Sequence, residues 1–191
     1  MITEYQKLLD LVRQNFASVV WTHKIQEQQA EMYEEQYKRI EFINIFAAAL
    51  TSCGVFTTFY QDELWVKIVT IILSFITLFI TAYLKSFDLK SMAGENKEYA
   101  NKFLVIRNKM LSVIAELHMM KASLEELQNK YEIILSESNE IYISAPSTNN
   151  KAVKRAKIRL EVDKDYTFTD EEIDRFLPDS LRGKIKDDVN E

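Results

Sequence analysis

The sequence predicts an all-α membrane protein: a two-helix transmembrane hairpin extended by long cytoplasmic heptad helices, plus a short C-terminal helix. Three observations predict it. Two apolar runs, Phe42–Tyr60 and Leu64–Leu84, are separated by only Gln61, Asp62 and Glu63. Apolar residues recur at alternating steps of four and three on both sides of these runs. Only 3 Gly and 2 Pro occur in 191 residues, a composition that favours long helices over turn-rich β structure.

The runs justify the hairpin. The first contains no Asp, Glu, Lys, Arg or His, and the second contains one charge, Lys67. A helix crossing the hydrocarbon core needs about 20 largely apolar residues, and each run meets that length. The short joint makes the two helices antiparallel neighbours. Lys38 and Arg39 precede the first run, and Lys85 and Lys90 follow the second, whereas the joint carries Asp62 and Glu63. This bias predicts a multi-pass membrane protein with both termini cytoplasmic. Met1–Leu11 carries Glu4, Lys7 and Asp10 and lacks the apolar stretch of a cleaved signal.

Each run has a small, polar stripe. In the second it is Lys67, Thr70, Ser74, Thr77, Thr81 and Lys85; in the first, Asn44, Ala47, Thr51, Gly54 and Thr58. Two readings of these stripes stand. Small and hydroxyl residues let membrane helices approach closely and bond across the contact. Alternatively the hydroxyls line a water-filled path, which two helices cannot enclose and which therefore requires a ring of copies. Lys67 would then sit near the outer mouth, or simply snorkel to the headgroups.

The flanking rows justify the long helices. The first is Tyr5, Leu9, Val12, Phe16, Val19, His23, Gln26, Ala30, Tyr33, Tyr37 and Ile40. The second is Tyr99, Phe103, Ile106, Met110, Val113, Leu117, Met120, Leu124, Leu127, Tyr131 and Ile134. Sustained 3.5-residue spacing implies helices winding around a partner, and extra apolar positions in the second row (Leu104, Leu111, Ile114 and Ile133) suit a bundle. The homo-oligomer expected is the ring that a conducting path would require. The segments are therefore 1–41, an N-terminal cytoplasmic helix; 42–84, the hairpin; 85–143, a long cytoplasmic helix; and 144–191, a linker and docking helix. Gly94 is a candidate C′ residue with Asn96 a new N-cap, and a helix running through Gly94 is the alternative. The first row turns polar at His23 and Gln26, beside Trp21 and Lys24, which makes these four a candidate switch in the bundle.

In the tail, Lys151, Lys154, Arg155, Lys157 and Arg159 form a basic segment. It reads as a solvated helix face or as a contact for anionic headgroups or an anionic ligand. Thr169 with Glu172 forms a capping box between Phe168 and Ile173, starting a short helix at Glu171–Leu177 before Pro178.

Catalysis has no visible apparatus: no GxGxxG, P-loop, GxSxG or HExxH is present, so no enzyme is expected. No Cys and His set has metal-ligand spacing, so neither metal nor cofactor is expected. The net charge of −5 and the lack of a dense basic patch argue against nucleic acid. The single cysteine, Cys53, allows no intramolecular disulfide.

The order of parts resembles a known family. Trp21-Thr22-His23-Lys24 with Gln26-Glu27 and Ala30 precedes a tight hairpin opening at Ile43-Asn44-Ile45. A long helix follows, and the close is Phe168-Thr169-Asp170-Glu171-Glu172-Ile173-Asp174-Arg175-Phe176-Leu177-Pro178. Over roughly Phe16–Arg182 the chain is similar to the SLATT domain, the "SMODS and SLOG-associating 2TM effector" group of prokaryotic conflict systems. The resemblance implies a pore-forming membrane effector of anti-phage defence, paired with a nucleotide-signal synthase, a nucleotide sensor or a reverse transcriptase. It favours the pore-lining reading of the stripes. A membrane-anchored coiled-coil scaffold that recruits a soluble partner without conduction is the alternative.

Overall fold

The computed structural model describes residues 2–58, 60, 63–120, 122–167 and 169. The first of its two units, Met1–Ala156, contains the helices that matter for function. Helix α1 covers Ile2–Thr58 without a break. The first heptad row and the first apolar run are thus one helix, about 86 Å long at 1.5 Å per residue. No Pro lies in it, and its only Gly is Gly54 near the end, so nothing in its composition forces a kink.

Helix α2, Leu64–Ser86, returns antiparallel to α1. Asn44 meets Thr81 and Gly54 meets Thr70, one position advancing as the other recedes. Of the joint between them, Gln61 and Asp62 lie outside the described residues. The apolar windows of both helices are long enough to cross a membrane, and only 6% and 0% of them is buried within the chain.

Helix α3, Leu89–Met119, continues α2 after a two-residue joint. The Phe87 N–H still donates to the Tyr83 carbonyl at 2.8 Å, ending α2. Asp88 then opens α3, its carboxylate accepting from the Ser91 N–H at 2.9 Å. This N-cap satisfies a donor the new helix would otherwise leave bare. The break therefore falls at Phe87–Asp88, and α3 runs through Gly94, as the uninterrupted alternative has it.

Nothing lies within 4 Å of where a Cβ on Gly94 would stand. Gly94→Ala is expected to stabilise the bundle by about 0.5–1 kcal/mol by removing backbone freedom from the unfolded chain. Thermal unfolding checks this, and a lower melting temperature would contradict it.

The second heptad row is not one helix, which corrects the single long helix expected over 85–143. Met120 adopts a left-handed conformation, φ 49°, and caps α3. Helix α4, Leu124–Ser144, then starts from a complete capping box: Ser123 accepts from the Glu126 N–H, and Glu126 accepts from the Ser123 N–H. Helices α3 and α4 form an antiparallel hairpin, clipped by Lys109 to Glu137 and by Lys130 to Glu116.

From there the chain runs parallel to α1 at a fixed spacing of 120 residues. Thr22 bonds Tyr142, Gln26 bonds Pro146, Gln29 bonds Asn149 and Glu35 bonds Arg155. The last pair belongs to helix α5, Asn150–Lys157, whose Ala152 and Ala156 are fully buried. Asn149 caps α5 by accepting the N–H groups of Lys151 and Ala152, both at 2.9 Å.

The apolar core lies away from the hairpin, where α1, α3 and α4 meet. Leu9, Val12 and Val19 of α1 pack with Phe103, Ile106, Met110, Val113 and Leu117 of α3 and with Leu127, Tyr131 and Ile134 of α4. All but Leu9, Val12 and Val19 come from the second heptad row, folded back on itself at Met120.

The second unit begins at Lys157. Its described part includes one π-type turn, Ile158–Val162. The docking helix expected at Glu171–Leu177 lies outside the described residues.

Candidate functional site

Two regions answer to the residues singled out from the sequence: the face shared by α1 and α2, and a polar level of α1 above it.

On α1 the stripe is the seam with α2. Asn44, Thr51 and Gly54 are half-buried there and Ala47 is buried, whereas Phe42, Ile45, Phe46 and Phe56 point outward. The Thr58 side chain lies outside the described residues. A Cβ on Gly54 would come within 2.3 Å of Thr70 Oγ1, so the glycine sets the closest approach of the two helices. Small residues are what such an approach requires where no hydrophobic effect drives helices together. Asn44 donates to Thr81 Oγ1 at 3.4 Å.

On α2 the structure divides the stripe. Lys67, Thr70 and Thr77 are half-buried against α1, Ser74 is exposed, and Thr81, also exposed, reaches the edge of the seam through Asn44. Every stripe hydroxyl on α2 donates its proton one turn back: Thr70 to Val66, Ser74 to Thr70, Thr77 to Leu73 and Thr81 to Thr77, at 2.8–2.9 Å. The backbone partner spares each hydroxyl the cost of an unmade bond in hydrocarbon. What Ser74 offers outward is thus an oxygen lone pair, suited to water or a cation, whereas the Thr81 oxygen also accepts from Asn44.

The second region is the stretch of α1 from His23 to Ala30. His23, Lys24, Gln26, Gln28, Gln29 and Ala30 are all buried, five of them polar or charged. Among the four candidate switch residues, Trp21 is half-buried at a shallow cleft with Gln14, Ser18 and Tyr142, and the other three are inside. His23 Nδ1 lies 2.7 Å from the Ala100 carbonyl of α3. A carbonyl only accepts, so Nδ1 carries the proton. Lys24, 5% exposed, pairs with Glu27 at 2.8 Å, and Lys97 of α3 approaches the same carboxylate at 3.4 Å. Gln26 donates to the Pro146 carbonyl at 3.0 Å. Gln29, with no exposed surface, accepts the Asn149 N–H at 3.0 Å. These two glutamines tie the 146–149 turn to α1.

The sequence reading missed Gln28, Gln29, Asn96 and Ser138, all buried. Asn96 extends the α3 face by one step before Ala100 and Phe103, and that spacing was the available signal. Gln26 Oε1, Gln29 Nε2, Asn44 Oδ1 and Asn96 Oδ1 are buried without a hydrogen-bond partner. Each such atom costs about 1–3 kcal/mol; Asn44 belongs to the hairpin seam, and the other three make the polar level hold the bundle less firmly than the apolar core does.

Burial lowers the His23 pKa below its ordinary 6.5, opposed by the Ala100 bond and the nearby Glu27 and reinforced by Arg107 and Lys24. The folded bundle therefore favours neutral imidazole. Its contribution is complete above about pH 6.5 and is lost as pH falls below that value, where the unfolded chain takes up the proton first. Glu35 and Glu116, held low by Arg155 and Lys130, titrate below this window. The melting temperature is expected to fall between pH 7 and 5.5. In His23→Asn, which keeps a donor near Nδ1, the fall should shrink; an unchanged slope would show that another group titrates there.

Among the described residues no group of His, Cys, Asp and Glu is placed to hold a metal ion. The chemistry available is packing, hydrogen bonding and charge, in a membrane hairpin continuous with a polar-centred bundle. Neither curated proteins nor solved structures gave a match to the chain. The family model for the SMODS and SLOG-associating 2TM effector domain, family 4, matches residues 8–172, which takes in α1 to α5 almost entirely. The chain belongs to that family of two-transmembrane effector domains.

Proposed function

We propose that the protein is an oligomeric effector of a prokaryotic anti-phage conflict system that permeabilises the inner membrane when triggered. The observation that carries this reading is the division of the α2 stripe. The hairpin's own seam uses Thr70 and Thr77, touches Thr81 through Asn44, and leaves Ser74 on a face that otherwise meets lipid. Hydroxyls on a lipid-facing surface gain most when copies assemble so that they face water or one another. Because two helices cannot enclose a path, the conducting form is a ring of hairpins lined by this face.

The bundle is the control element, held on the cytoplasmic side by the Lys38, Arg39, Lys85 and Lys90 flanks. A signal from an operon partner, such as a nucleotide-signal synthase, a sensor or a reverse transcriptase, biases it between two packings. The His23–Gln29 level, with its buried unsatisfied amides, is where a second packing costs least. Any such trigger acts only by binding one packing better than the other.

Induced expression with the cognate trigger should depolarise cells within minutes, read with a potential-sensitive dye. Cells that keep their potential while the protein is in the membrane fraction would favour the scaffold reading.

A further inference from the structure

We infer that the cleft between α1 and α5 is a binding site for the phosphate of an anionic lipid headgroup. This rests on the membrane reading of the hairpin, and not on permeabilisation.

The cleft is open, about 720 Å³, and gathers Arg39 and Glu35 of α1 with Lys151, Lys154 and Arg155 of α5, over the apolar side chains of Met32 and Ile40. Four cations meet one carboxylate. That carboxylate is taken: Arg155 grips Glu35 with two bonds, at 3.0 and 2.9 Å. Arg39, Lys151 and Lys154 are exposed; Arg39 feels Glu35 only at longer range, behind the Arg155 bonds. Acidic residues follow the basic segment closely, at Glu161, Asp163 and Asp165. Glu161 pairs with Lys157 at 3.7 Å and Asp163 with Arg159 at 3.2 Å, each four residues back.

The folding of α5 explains why they face it together. Ala152 and Ala156 are fully buried, which turns Lys151, Lys154 and Arg155 along the flank of α1. The Gln26, Gln29 and Glu35 contacts fix α5 in register with α1.

Position selects the source of the phosphate. Arg39 precedes Phe42, the first residue of the apolar run, by three positions, or about 4.5 Å along the helix. The Arg39 end of the cleft therefore lies at the level of the headgroups, and the Lys151 end faces the water beyond them. Cations within a Debye length of an anionic leaflet attract it strongly. Ile40, two residues from Phe42, offers an apolar contact to the glycerol. A bound headgroup bridges α1 and α5 and reinforces the turn that Gln26 and Gln29 hold.

The test uses the full chain in neutral detergent, with thermal unfolding followed by circular dichroism. Phosphatidylglycerol in excess is expected to raise the melting temperature by roughly 5 °C or more over phosphatidylcholine. The rise should be lost in R39Q/K151Q/K154Q and kept in K151R/K154R. All three side chains are exposed, so the triple variant should retain native helicity, which the same spectra confirm. Equal rises with both lipids, or a full rise in the triple variant, would overturn the proposal. So would an equal rise with inorganic phosphate alone, which would make the site one for a soluble phosphate. Dye release plays no part in this measurement, so its result and that of the permeabilisation test are separable.

Discussion

Ser74→Leu is expected to cut triggered permeabilisation by roughly 5- to 150-fold while leaving the hairpin folded. Ser74 stands on the exposed side of α2, its proton committed to the Thr70 carbonyl at 2.9 Å. Its remaining lone pairs are what a water-filled path would use. Leucine removes them, narrows the ring once per copy and presents an apolar constriction, which gates by expelling water. A barrier of about 1–3 kcal/mol follows from one lost hydrogen bond of this kind. The hairpin seam should not notice, because Gly54, Thr70 and Thr77 carry it. Thr77→Leu is the contrasting variant: Thr77 is in the seam, so leucine there should loosen the hairpin itself. Dye-release rates per membrane-inserted protein, compared across the two variants, separate lining from packing. Undiminished release by Ser74→Leu would remove this face from the path.

Phe103→Ala is expected to destabilise the bundle by about 3–5 kcal/mol, lowering the melting temperature by roughly 6–20 °C. Phe103 has no exposed surface and lies in the cluster shared by α1, α3 and α4. Its ring meets Tyr142 of α4 at 4.8 Å with a 58° tilt, so the change also removes an aromatic pair. Tyr142 in turn bonds Thr22, one residue before His23. Loss of Phe103 therefore loosens the apolar core and the neighbouring polar level together. Phe103→Leu, which refills most of the volume, should recover the larger part of the stability. A melting temperature that barely moves in the alanine variant would contradict the packing described.

Much of this architecture is legible in the sequence because hydrophobic spacing reports burial directly. The row from Leu9 to Ile40 is the inner face of α1, and the apolar runs are α1's end and α2. Family membership was likewise legible in the order of these parts. The reversal at Met120 was hidden because methionine continues the heptad and favours helix, so the row reads unbroken across a turn. The signal that marked it was present: Ser123 and Glu126 have capping-box spacing, as Asp88 and Ser91 have N-cap spacing. The buried glutamines were hidden for another reason. Pattern reading assigns polar residues outward, and Gln28 and Gln29 are inside only because helices α3 and α4 and the 146–149 turn arrive from distant sequence. The same blindness affected the stripe on α2. Spacing placed Thr70, Ser74, Thr77 and Thr81 on one sector, but only the position of α1 divides them into seam and exposed edge. The basic segment near Lys151 shows the converse, because its neutralisation by later acidic residues is decided by local i,i+4 pairing.

The proposed function requires that this chain, assembled through its membrane hairpin, opens a path across a bilayer. Purified full-length protein reconstituted into liposomes holding a graded set of dyes tests it most directly. The account predicts release that rises steeply with protein density, stops above one dye size, and is suppressed by Ser74→Leu. Liposomes that keep every dye with the trigger and its operon partner present, while the protein resists alkaline extraction, would contradict it.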